Sequence, residues 1–333
     1  MRPNAFAVRG IIALSVIGLG LAAGVVTIAL SPRSSPKESA STQPMAFTKP
    51  GVAIIDVNDI LSLERGNSFF GETLASSAES IIGALDSYGD DPRVRAIVLS
   101  VNCPGGTPSA CEEIYRKMME LKKDRKMKFV AYFKEVAASG AYYISMPADR
   151  IVTTSGCITG SVGVIMYTLN FSGLMERFGV KYQGYTSGRN KDMGSPYRKA
   201  REDETEYFNE MIRTVYADFR NEVMHSRGSK LRGDPSALLD GRIFSGAQAV
   251  RNGIADMIGT EHDAIAEACK LAGLDPSEPV IIEHRNDGNF MEQLKRAMGA
   301  VADKKIDVKT GIESVLPSKY SGVPLYLYSA GQR

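Results

Sequence analysis

Apolar positions along this chain fall into two regimes that meet at a polar stretch. Residues 10–30 read GIIALSVIGLGLAAGVVTIAL, without a charge. At about 1.5 Å per residue, a helix of that length matches a hydrocarbon core about 30 Å thick. Arg2 and Arg9 precede it, so the positive-inside tendency keeps residues 1–9 in the cytoplasm and sends the rest across. A cleaved leader would have a shorter apolar region ending in a small-residue cleavage site. This one runs into Ser31-Pro32-Arg33, which favours an uncleaved anchor. Residues 31–50 are rich in Ser, Pro, Thr and Lys and read as a tether that cannot bury enough apolar surface to order itself.

From residue 51 onward, short apolar runs alternate with helical spacing. Residues 52–57 read as a first strand, and residues 94–101 are a nearly continuous apolar run, the mark of a buried parallel strand. Residues 129–133, 150–154, 181–186 and 280–283 read as further strands. Helical spacing covers residues 73–88, 109–123, 137–144 and 264–271. A long amphipathic helix is expected over 198–227, with Tyr207, Met211, Val215, Phe219 and Val223 on one side. Residues 241–246 form a turn into another helix. Strands alternating with helices predict an α/β domain with βαβ crossovers over residues 51–285, followed by a partly flexible tail over 286–333.

Composition narrows the function classes only a little. Of 333 residues, 44% are apolar and 23% charged, and the net charge is +2, too small to argue for a nucleic-acid partner. The four cysteines, Cys103, Cys111, Cys157 and Cys269, lack zinc-ligand spacing and read as buried free thiols. No metal or cofactor is expected. Gly18-Leu19-Gly20-Leu21-Ala22-Ala23 fits a loose dinucleotide pattern, but inside an apolar span it has no strand before it and no βαβ unit around it.

The candidate chemistry lies in four small-residue segments. Asn102-Cys103-Pro104-Gly105-Gly106-Thr107 joins a strand to a helix, and free N–H groups there could hold an oxyanion or simply make a turn. Ser139, beside Gly140 at a helix start, could be a nucleophile or an N-cap. Ser161, in Thr159-Gly160-Ser161-Val162-Gly163-Val164, could accept a hydrogen bond from an amine. Lys191, in Arg189-Asn190-Lys191-Asp192-Met193-Gly194-Ser195-Pro196, could be a surface lysine or, if desolvated, a neutral general base. His225, His262 and His284 adjoin no serine turn, and no Gly-x-Ser-x-Gly occurs, so a Ser-His-Asp reading has no support.

Taken together, these segments resemble the signal peptide peptidase A family in its short bacterial form. Ala138-Ser139-Gly140-Ala141-Tyr142-Tyr143 and the Lys191 segment carry most of the likeness, and Phe244-Ser245-Gly246-Ala247-Gln248-Ala249 with Gly253-Ile254-Ala255-Asp256 extends it. The resemblance implies a crotonase-like, Clp-protease-like α/β fold. It implies Ser139 as nucleophile, Lys191 as general base, Ser161 as the hydroxyl that positions the lysine, and the N–H groups of Gly106 and Gly140 as the oxyanion hole. It further implies a homo-oligomeric ring or dome in which serine and lysine come from neighbouring protomers, and apolar peptides such as remnant signal peptides as substrates. With residues 10–30 as anchor, the expected location is the bacterial inner membrane, single-pass, with the catalytic domain outside the cytoplasm. Two positions depart from the family pattern: Cys103 stands where serine is usual, and Ala141 where a second glycine is common. A crotonase-type acyl-thioester enzyme and an inactive membrane scaffold are the competing readings. The apolar tail, residues 320–333, could enter the enzyme's own site and be trimmed.

Overall fold

Two strands buried on both faces set the architecture. The computed structural model describes residues 49–63, 78–283 and 326–327 of the protein. The expected span at 10–30, the tether up to residue 48 and most of the tail lie outside the described residues. Among those described, no helix is long and apolar enough to cross a membrane.

Strands β1 (Gly51–Asn58), β2 (Val94–Cys103) and β4 (Lys128–Ala138) lie side by side in parallel, with Ile55 opposite Leu99 and Leu99 opposite Ala131. Odd and even positions face different layers. Ile55, Val57, Ile97, Leu99, Phe129 and Phe133 pack with Ile81 and Leu85 of α1 (Ala78–Asp90) and with Ile114 and Met118 of α2 (Pro108–Arg125). Val52, Ala96, Val98 and Val130 pack instead on Ala264, Ala268 and Cys269 of a helix near the C-terminal end of the domain. Helices on both faces exclude water from the strands, which is why the apolar runs are continuous rather than alternating.

The sheet contains eight described strands, and its edge order positions the site. Between β2 and β4 lies β3 (Gly105–Gly106) in chain order, outside the main sheet. Next to β4 lie both β5 (Arg150–Thr153) and β6 (Ile158–Gly160). β4 is long enough to serve both: Val130–Phe133 pair with β5, and Val136–Ala138 pair with β6. An irregularity between Val101 and Cys103 shifts the register against β4, and the Asn102 side-chain oxygen accepts the Val136 N–H at 3.2 Å across it. β7 (Ile243–Ser245) closes this edge antiparallel to β6, β8 (Met257–Ile258) pairs with β5, and β9 (Ile281–Ile282) flanks β1.

The remaining helices are α3 (Gly140–Tyr143), α4 (Ser172–Arg177), α5 (Glu202–Arg227), α6 (Pro235–Leu238), α7 (Gly246–Arg251) and α8 (Glu261–Ala272). A reciprocal Thr260–Asp263 cap starts α8, and Gly273 in the left-handed region ends it. In α5 only the C-terminal part of the expected apolar stripe is covered: Phe219 and Val223 are fully buried, whereas Tyr207 is 55% exposed. Arg227, at its end, is buried and paired with Asp256 at 2.8 Å, and it also donates to the Gly253 carbonyl.

Three expectations need correction. Residues 137–144 are not one helix: the strand runs on through Ala138, because β6 and β2 offer it ladder partners, and only Gly140–Tyr143 is helical. Residues 181–186 form no strand: among the described residues no strand pairs with them. The turn expected over residues 241–246 contains β7. All four cysteines are buried free thiols.

Candidate active site

The C-terminal ends of β2, β4 and β6 converge on one edge, and each carries one of the candidate segments. Ser139 follows directly on β4. Its N–H donates to the Gly160 carbonyl at 2.8 Å, the last rung shared with β6. Its backbone then turns sharply, with φ 55° and ψ −117°, a region a residue bearing a Cβ enters at a cost of about 1–3 kcal/mol. Ser139 does not cap α3 with its side chain. Its Oγ instead lies 3.5 Å from the Gly163 carbonyl oxygen, at the outer limit of a hydrogen bond, and the residue is 1% exposed.

The surroundings hold this elbow firmly. The fully buried Tyr142 donates its hydroxyl proton to the Ile254 carbonyl at 2.9 Å. Ser145 Oγ donates to the Ala141 carbonyl at 2.8 Å. The Tyr143 ring meets Phe219 of α5 edge-on, with centroids 5.3 Å apart.

Ser161 is the second strained serine, with φ 51°, one residue past β6. Its N–H donates to the Arg242 carbonyl at 2.8 Å, which ties the turn to the β7 edge. Because Ala138 is the ladder partner of Gly160, the two serines leave adjacent strands at the same level. Ser161 Oγ has no hydrogen-bond partner among the described residues.

Gly105 and Gly106 lie one strand further along. A Cβ on Gly106 would sit 2.2 Å from the Leu61 carbonyl oxygen, so only glycine fits there. Leu61 N–H donates to the Gly105 carbonyl at 2.8 Å, and Thr107 N–H donates to the Leu61 carbonyl at 2.9 Å. Cys103 Sγ lies 3.3 Å from both the Gly105 N–H and the Gly105 carbonyl and brackets the turn from inside. Burial pushes its thiol up to about 12, so it stays a neutral hydrogen-bonding group. β3 packs against α3, which brings Gly106 and Gly140 to the same end as Ser139. On its open side β3 receives β10 (Tyr326–Leu327) as an antiparallel strand, with Tyr326 opposite Gly106 and Leu327 opposite Gly105.

Lys191 is placed differently. It is exposed, within a series of turns over residues 187–194, and its N–H donates to the Gly188 carbonyl at 3.1 Å. Among the described residues its Nζ makes no hydrogen bond or ion pair, and no hydrogen bond joins it to Ser139, Ser161, Gly106 or Gly140. The surrounding segment, residues 164–201, is an arm with little regular structure. It is tied across its base by the Phe171 N–H donating to the Pro196 carbonyl at 2.6 Å. The arm leaves Leu169, Leu174, Phe178, Val180 and Tyr185 exposed. Thus the four small-residue positions gather at one edge, and within a single chain the exposed lysine makes no hydrogen bond to any of them. Among the described residues, no group of three or more His, Cys, Asp or Glu is placed to hold a metal ion.

Sequence reasoning missed the ion cluster behind Lys191, formed by Arg198, Arg201, Asp192 and Glu204. The one signal for it is Glu204 three residues after Arg201 at the start of a long amphipathic stretch, which is capping-box spacing.

Residues 121–275 match the family model described as Peptidase family S49, and this segment contains Ser139, Ser161 and Lys191. The chain is 34% identical over 263 residues to a putative signal peptide peptidase SppA of Enterococcus faecium, covering 76% of this chain and 75% of that one. The chain belongs to peptidase family S49. A putative protease of Methanocaldococcus jannaschii, MJ0651, is 38% identical over 225 residues, covering 68% of this chain and 70% of the relative. A chloroplastic serine protease SPPA of Arabidopsis thaliana is 27% identical over 206 residues, which is 62% of this chain and 30% of that protein. Family membership makes this S49 chain a serine peptidase on a mixed α/β sheet.

Proposed function

We propose that this S49 chain is a membrane-anchored endopeptidase with a Ser/Lys dyad that degrades extended apolar peptides such as remnant signal peptides. In this reading Lys191 takes the Ser139 proton and Ser139 attacks the peptide carbonyl. The N–H groups of Gly106 and Gly140 face the developing oxyanion and Ser161 orients the amine. Collapse of the tetrahedral intermediate breaks the C–N bond as the Lys191 ammonium returns its proton to the leaving amine. A water that gives a proton to Lys191 then attacks the acyl-enzyme, and Ser139 takes that proton back as the acid leaves.

The observation that carries the proposal is the strained elbow at Ser139. A buried serine held at φ 55° by the flanking β6 rung, with its side chain released from helix capping, is shaped to present its hydroxyl. The β3–β10 pairing supports a peptide substrate, since it is the geometry in which an extended segment adds to an exposed strand. Trimming of the chain's own tail belongs to the same proposal.

General-base chemistry requires the lysine amine to be out of water. The exposed arm with its row of apolar side chains favours docking on a second copy, whose elbow would then receive Lys191. The proposed particle is therefore a homo-oligomeric ring or dome built on a crotonase-like, Clp-protease-like fold. Residues 10–30 would anchor it in the bacterial inner membrane, with the peptidase domain outside the cytoplasm.

Mixing two inactive variants tests this. Ser139→Ala and Lys191→Ala chains should each be inactive alone, and co-assembly should restore a fraction of wild-type peptide cleavage. Activity in either pure variant, or none in the co-assembled mixture, contradicts the reading.

A further inference from the structure

The loop that carries Lys191 is gripped from both sides. Arg198 reaches back six residues and closes a two-pronged contact on Asp192, with Nε to Oδ2 at 2.7 Å and Nη2 to Oδ1 at 2.8 Å. The same Nη2 donates to the Asp192 carbonyl at 2.9 Å. Arg201 takes the other side, donating to the Arg189 carbonyl at 3.0 Å and to Asn190 Oδ1 at 3.1 Å. Both arginines are held in turn by Glu204, which is 1% exposed in the first turn of α5. Its carboxylate accepts from Arg198 through both guanidinium Nη atoms and pairs with Arg201 at 2.6 Å. Residues 189, 190 and 192 are thus fastened, and the side chain between them is left unpaired.

We propose that Arg198 and Arg201 are positioning residues that clasp the lysine loop and keep the Asp192 carboxylate off the Lys191 amine. This rests on Lys191 being the general base. Asp192 adjoins Lys191 in sequence, and a carboxylate free to turn toward an ammonium would hold the proton on it. The Arg198 fork occupies both carboxylate oxygens, and it holds the Asp192 carboxyl down at about 2. The other charged groups in ion-pair reach of the loop are already engaged: Arg189 pairs with Asp203 at 3.0 Å, and Arg201 lies 3.6 Å from Asp192 and 3.4 Å from Asp203. A lysine in place of Arg198 would keep the charge but lose the planar fork.

The test is the pH profile of kcat/KM in the full-length, assembled enzyme. In Arg198→Gln the acid limb should move up by about one pH unit, with kcat at neutral pH down about tenfold and KM nearly unchanged. Adding Asp192→Asn in that background should return the limb toward its wild-type position. Arg198→Lys should move it in the same direction by less, and it serves in place of Arg198→Gln if the latter melts below the assay temperature. An acid limb that does not move in a folded Arg198 variant overturns the clasp, as does a limb that stays raised after Asp192→Asn. If Lys191→Ala is inactive, such a result leaves the Ser/Lys reading standing; an active Lys191→Ala removes that reading itself.

Discussion

The serine edge and the lysine arm are built by opposite means. At the edge, Ser139 is fixed by a ladder rung, a buried tyrosine and a helix packed from behind, so the backbone tolerates a conformation it would not otherwise keep. On the arm, Lys191 is held only through its loop neighbours, by part-buried arginine contacts anchored on Glu204, and large apolar side chains face water. The contrast separates a turn completed by folding from an exposed loop which, under the proposed function, is completed only against a second copy. Strain is affordable only where packing over-determines the chain.

Substitutions on the two sides should therefore differ in kind. The largest stability effect is expected behind the edge. Asp256→Ala removes the partner of buried Arg227 and an acceptor for the Ile151 N–H, and it should cost about 3–5 kcal/mol in chemical denaturation. Burial pushes the Asp256 carboxyl up, but Arg227, the Ile151 N–H and Lys230 outweigh it and hold it below 3.8. A carboxyl depressed on folding stabilises the protein above its unfolded value, and this contribution fades as the pH falls through the folded one. The Asp256→Ala variant should accordingly lose less stability between pH 5 and pH 3 than the wild type. Next comes Gly106→Ala, where the added Cβ meets the Leu61 carbonyl oxygen and displaces the turn. Peptide cleavage should fall by about 10²–10³-fold in protein that is still folded by circular dichroism.

Smaller effects sharpen the contrast further. Ser139→Gly relieves the φ 55° strain and should stabilise the chain by about 1 kcal/mol while removing activity. Loss of stability there would mean that the elbow is not strained. The smallest change is expected on the arm. Phe178→Ser and Tyr185→Ser alter side chains 77% and 87% exposed, so protomer stability should stay within about 0.5 kcal/mol. Sedimentation should nevertheless show a smaller particle. A stability loss above about 2 kcal/mol in the isolated protomer would show that these side chains are already covered within it.

The same division decided how much could be read from sequence. Strands β1 and β2 were legible because most of their positions are buried, and helix α8 because Ala264, Ala268 and Cys269 line one face, so continuous or 3.6-spaced apolar residues report them directly. The Ser139 elbow was not. Val136, Ala137 and Ala138 suit strand and helix alike, and only the flanking rungs from Cys103 and Gly160 extend β4 to the serine. Residues 181–186 look like a strand by composition, but β preference without a neighbour makes none. Ser139, Ser161, Gly106 and Gly140 could be named from their small-residue contexts. Their meeting at one edge depends on strand order, which no local pattern carries. The arginine cluster showed only as capping-box spacing for a related reason: Arg198 and Arg201 meet on a buried glutamate whose burial is a tertiary fact.

The account stands on Lys191 activating Ser139, and covalent labelling reads that directly. Wild-type enzyme treated with a serine-reactive phosphonate should carry one adduct per chain on the peptide containing Ser139, and Lys191→Ala should label at least about a hundredfold more slowly. Equally fast labelling of Ser139 in Lys191→Ala, or an adduct on another serine in the wild type, would contradict it.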